Sequence, residues 1–100
     1  MFKKEEKILV NLGQRLKQAR LERDDSQKDF AFRIGISIPT LQKMEKGSPQ
    51  VAIGTWVRAM GILGRLEDIE ALLAPKKSLA DRYASYQKTG TRQRASKRKS

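Results

Sequence analysis

Between Ser26 and Gly47, the stretch SQKDFAFRIGISIPTLQKMEKG carries two helix starts and two helix stops in close succession. Ser26 is a favoured N-cap residue, and Asp29 three positions later makes a Ser-x-x-Asp variant of the capping box. Phe30, Ala31 and Ile34 share one apolar face. Gly35 ends this helix, because glycine adopts the left-handed conformation at little steric cost. Only Ile36 precedes the next cap, Ser37. Pro39 falls in the first turn of the second helix, where a missing N–H costs nothing. Leu41 and Met44 form its inward face, and Gly47 stops it. Two short helices joined by a glycine-containing turn make a helix-turn-helix.

Helical spacing continues on both sides. The first helix is expected from about Glu5 to Arg23, with Ile8, Leu9, Leu12, Leu16, Ala19 and Leu21 as its apolar positions. Gly13 weakens its middle by about 1 kcal/mol relative to alanine. That moves the expected start of the ordered domain towards Leu12 and leaves residues 2–11 as an extension or an extra turn. After Gly47, SPQVA reads as a loop. A fourth helix is expected over Ile53–Leu63, with Trp56, Val57, Met60 and Leu63 on one side and Trp56 as a core residue. A fifth is expected over Leu66–Leu73, ended by Pro75. The expected architecture is therefore all-α: a five-helix domain over residues 1–75, its core from about 12 to 73, followed by a C-terminal extension over 76–100.

Charge separates the two parts. Residues 1–75 hold 13 Lys/Arg against 10 Asp/Glu, whereas residues 76–100 hold 9 against 1. Within the extension, Leu79, Ala80, Tyr83 and Tyr86 suit a short amphipathic helix or a partner-binding strip. From Lys88 onward the sequence is almost free of apolar residues and is expected to be disordered in isolation. A basic balance points to phosphate partners without specifying a sequence. It leaves two roles for the extension, wrapping DNA phosphates or docking on a protein partner.

The same residues exclude other classes. There is no histidine and no cysteine, so disulfides, thiol nucleophiles, histidine bases and the usual zinc sites are absent. No glycine loop for phosphates occurs, and Glu67, Asp68 and Glu70 beside Arg65 read as a solvated face. Neither enzymatic activity nor a cofactor is expected. No apolar run reaches the roughly 18 residues of a membrane span, and MFKKEEKILV lacks the apolar core of a secretory signal. The expected location is the cytoplasm.

The pattern Ser-Gln-x-x-Phe-Ala-x-x-x-Gly-x-Ser-x-x-Thr-Leu-x-x-x-Glu-x-Gly resembles the lambda-repressor-like, Cro/XRE class of DNA-binding domains, and the resemblance covers about Leu12 to Leu73. It implies that the second helix of the motif lies in the major groove of double-stranded DNA while the first crosses the backbone. By this resemblance Gln27 bonds a phosphate and buttresses the reading helix. Ser37, Ile38, Pro39, Thr40 and Lys43 face bases, and Lys28, Lys46 and the Ser48 backbone face phosphates. Arg20 and Glu45 match a partly buried ion pair that braces the motif. Readers of this class often carry Arg, Gln or Asn where this chain has Ile38 and Pro39. Readout is then expected to rely on Lys43, on thymine-methyl contacts and on DNA shape.

The segment VAIGTWVRAMGILGRLEDI is similar to HipB-type antitoxins. That likeness implies a homodimeric repressor on a palindromic operator that controls its own operon and binds a HipA-like kinase toxin. A phage-type repressor, a restriction-modification controller and a mainly protein-binding adaptor with weak DNA specificity are the alternatives.

Overall fold

A computed structural model describes residues 3–76. The expectations for the extension beyond them, including the Leu79–Tyr86 strip and the disorder from Lys88 onward, lie outside the described residues. Five helices follow in order: α1 Lys3–Glu22, α2 Gln27–Ile34, α3 Ile38–Lys46, α4 Ile53–Ile62 and α5 Leu66–Glu70.

The local signals act as their chemistry demands. The Ser26 side chain accepts a hydrogen bond from the Asp29 amide at 3.0 Å. Gly35 takes φ 85, and the Ile36 amide reaches back to the Ala31 carbonyl at 3.0 Å. Gly47 repeats this with φ 84, the Ser48 amide donating to the Lys43 carbonyl at 2.9 Å. Both ends are Schellman closures, which satisfy carbonyls that the helix leaves orphaned. Asp24 closes α1 in the same way with φ 61, a conformation that aspartate tolerates better than most residues.

The core is small and centred on the motif. Phe30, Leu41 and Met44 are its largest fully buried side chains, joined by Leu16, Ala31, Ile34 and Ala59. Ile36, Val51, Trp56, Ile62 and Leu63 pack around them. Each large apolar side chain buried here contributes about 1.5–3 kcal/mol.

Three expectations change. First, α1 starts at Lys3 and runs unbroken through Gly13. Of its six apolar positions only Leu16 is buried, while Ile8, Leu12 and Leu21 are exposed. Gly13, Leu16 and Arg20 are the buried residues of α1, and half-buried Leu9 extends the same stripe. Gly13 is a point of close approach to α3, since a Cβ there would lie 2.6 Å from the carbonyl oxygens of both Met44 and Glu45. Second, the buried residue of α4 is Ala59, whereas Val57 faces solvent. The small side chain lets α4 lie close to the core. Third, α5 stops at Glu70 and buries nothing. Leu72 and Leu73 are exposed, so no packing holds the last turn in helical form.

Candidate nucleic-acid interface

Helix α3 is fixed from behind. Leu41, Met44 and Glu45 are the buried residues of α3. The opposite side carries Pro39, Gln42, Lys43 and Lys46, all exposed, at the i, i+3, i+4, i+7 spacing of one helical stripe. Ile38 is 38% exposed at the start of the helix. The stripe presents one amide and two ammonium groups and no carboxylate.

Behind the stripe lies a buried polar chain. Arg20 Nε donates to Glu45 Oε2 at 2.7 Å, and Arg20 Nη2 donates to Glu45 Oε1 at 3.2 Å. This is the bidentate fork-on-carboxylate geometry that makes arginine pairs strong and directional. Both side chains are almost fully buried. Arg20 Nη1 also donates to the Asp25 carbonyl at 2.7 Å, which ties the α1–α2 turn to the same guanidinium. Gln27 Nε2 donates to Glu45 Oε1 at 3.1 Å, and Gln42 Nε2 donates to Gln27 Oε1 at 3.3 Å. Among the described residues no buried side-chain nitrogen or oxygen lacks a partner, the condition under which a buried polar network rigidifies a fold.

The remaining candidates are placed as follows. Ser37 Oγ accepts from the Thr40 amide at 3.2 Å and shares a hydrogen bond with Thr40 Oγ1 at 2.9 Å. Ser37 is therefore the N-cap of α3, and its hydroxyl is already engaged. Lys28 is exposed on α2. The Ser48 amide is engaged in closing α3, and its side chain accepts from the Gln50 amide at 3.2 Å. Gln42 escapes a reading of the α3 sequence alone, because what orients it is Gln27 on another helix.

A second set of charges flanks the motif. Asp25 accepts from Arg33 Nη1 at 2.7 Å and from Arg23 Nε at 3.2 Å. Both arginines are partly exposed, so these contacts hold the α1–α2 turn more than they stabilise the fold.

Among the described residues no group of three or more carboxylate, histidine or cysteine side chains is placed to hold a metal ion, and no helix is long and apolar enough to cross a membrane. No curated protein is significantly similar to the chain. A model of the helix-turn-helix family HTH_3 matches residues 16–68, which takes in the buried pair, both helices of the motif and the start of α5. The chain belongs to this helix-turn-helix family of DNA-binding domains.

Proposed function

We propose that the protein is a sequence-specific transcriptional repressor that reads double-stranded DNA with the exposed stripe of α3. The observation that carries this reading is the combination of a carboxylate-free stripe, Pro39–Gln42–Lys43–Lys46, with a fully satisfied polar network behind it. A rigid, basic helix face is what major-groove readout requires.

One domain of this size contacts too few base pairs to select a site in a genome, and proteins of this architecture bind as dimers on half-sites about one helical turn apart. Support for a homodimer comes from the apolar surface that the described residues leave uncovered. Between α1 and the α4–α5 region lies a groove of about 1660 Å³ lined by Leu12, Trp56, Met60, Leu63, Ile69 and Leu72, among others. Leu66 and Leu72 are exposed beside it. The finer role as antitoxin of a HipA-like kinase rests on the likeness of residues 51–69 to HipB-type antitoxins, a stretch that folds as α4 and most of α5. A stand-alone phage-type repressor or restriction controller has the same DNA-binding surface but no kinase partner.

A DNase footprint on the DNA upstream of the protein's own gene tests the repressor reading. Two protected half-sites 34–36 Å apart are expected. Diffuse, salt-sensitive protection would instead mark a protein-binding adaptor. Co-purification with the product of the adjacent gene separates the antitoxin from the other repressors.

A further inference from the structure

We infer that residues 79–86 dock in the groove between α1 and the α4–α5 region of their own chain, and compete there with a second copy. This rests on the homodimer reading proposed above and adds an internal occupant of the same surface. A second copy can use the groove only after the segment leaves it.

The groove exists because the helices pair off. Helix α1 packs chiefly on α3, while α5 packs on α4, and the face between the two pairs stays open. Trp56, Met60, Leu63 and Ile69 line it half-buried, with Leu12 and Leu72 exposed. Asn11, Gln14 and Gln18 line it from α1, on one face of that helix. At about 1660 Å³ it exceeds the roughly 300–1,000 Å³ of small-molecule sites. An apolar floor with side-chain amides along one wall suits aromatic rings that carry a hydroxyl, because a buried tyrosine needs a partner for its O–H.

The chain supplies that chemistry just beyond the groove. Leu72 lines the groove, and Leu73 is fully exposed with φ 62. The Ala74 amide donates to the Ala71 carbonyl at 3.0 Å, so the backbone bends beside the groove shortly before Lys76. Leu79, Ala80, Tyr83 and Tyr86 follow at i, i+1, i+4 and i+7, the spacing of one helical face. The three steps from Lys76 to Leu79 reach about 10 Å at most, and eight residues of helix run about 12 Å. A segment tethered this closely acts at an effective concentration on the order of millimolar, which a second copy matches only when the protein is concentrated. The stretch SLADRYASYQ holds one Asp and one Arg, so it brings no net charge to an apolar floor. The dense cations begin only at Lys88.

Trp56 is the only tryptophan in the chain and lines the groove, so its quenching by acrylamide reads groove occupancy in the full-length protein without DNA. Wild type is compared with a full-length double variant, Leu79→Ser with Tyr83→Ser, in a dilution series that extends well below the concentration at which sedimentation shows dimers. Trp56 is expected to be shielded in wild type at every concentration and to lose that shielding in the variant. A peptide of residues 78–87, added on the order of the millimolar effective concentration, should restore it. Recovery with the peptide excludes misfolding as the cause of the exposure. If about one wild-type molecule in ten has its groove open, the variant's dimer dissociation constant should fall at least about tenfold. Equal quenching of wild type and variant, shielding that grows with protein concentration, or a dimer affinity that is unchanged or weaker in the variant overturns the inference. Shielding that holds while both proteins stay monomeric leaves the docking standing and removes the homodimer reading.

Discussion

Gly13 and Glu45 bring α1 and α3 into backbone contact: a Cβ on Gly13 would lie 2.6 Å from the Glu45 carbonyl oxygen. Gly47 meets α1 in the same way, since its Cβ would fall 2.6 Å from Val10 Cα. The two glycines let α1 lie directly on the C-terminal turn of α3. The N-terminal half of α1 is thus a support for α3.

This contact reverses the sign expected from helix propensity. Gly13→Ala should gain about 1 kcal/mol as a helix former. The new methyl group instead meets backbone, which cannot rotate away, so the helices must separate. Chemical denaturation should show a net loss of about 1–3 kcal/mol, the usual cost of overpacking. Gly54→Ala is the control. It lies in α4 with nothing within 4 Å of its Cβ, and should be neutral or stabilising by up to about 1 kcal/mol.

The Arg20–Glu45 pair should dominate stability among the polar contacts. Arg20→Ala leaves the Glu45 carboxylate buried with only Gln27 as partner and frees the Asp25 carbonyl. Breaking a buried pair from one side costs about 3–5 kcal/mol. For a domain this small, calorimetry should record a fall in Tm of roughly 15 °C or more. A variant that melts like wild type would mean that the pair is replaced by water at little cost.

The helix-turn-helix was legible because its signals are local. Ser26, Gly35, Ser37 and Gly47 each act within a few residues of themselves, and the structure uses all four as caps. Long-range choices were hidden. Apolar periodicity in α1 pointed to Ile8, Leu12 and Leu21, because a pattern count sees no reason for Gly13 and Arg20 to face inward, and only the family resemblance set Arg20 against Glu45. They do so because α3 supplies, across the chain, a backbone to approach and a carboxylate to pair with. Likewise Leu72 and Leu73 look like an inward helical face, but no element of the described chain covers them. In the site, Lys43 and Lys46 were readable as exposed cations, whereas the constraint on Gln42 comes from a residue on α2 and cannot be read from α3 alone.

Two lysines on the stripe should separate by their targets. Lys43 lies exposed between Pro39 and Lys46, and on the proposed reading its side chain should reach base edges. Lys43→Ala should relax preference at one position per half-site, costing about 1–3 kcal/mol there. Lys46, at the end of the helix, should contact phosphate. Lys46→Ala should weaken binding to all sequences alike and reduce the slope of log affinity against log salt by about 1. Titration of each variant against the footprinted duplex and a scrambled one distinguishes the two behaviours.

The basic extension offers a counterion test. Residues 88–100 carry Lys88, Arg92, Arg94, Lys97, Arg98 and Lys99. Each phosphate they neutralise adds about 0.9 to the salt slope. Deleting residues 88–100 should flatten that slope if the extension lies along DNA. An unchanged slope with a weaker complex with a protein partner assigns it to that partner.

The most direct test of DNA reading by α3 is the specificity ratio: the affinity of the full-length protein for its footprinted duplex divided by that for a scrambled duplex, both titrated by fluorescence anisotropy at physiological salt. A reader of base edges should give a ratio of about 10³ or more. Equal affinities, with the same salt slope on both duplexes, would show that the α3 stripe touches only phosphate and would contradict the account.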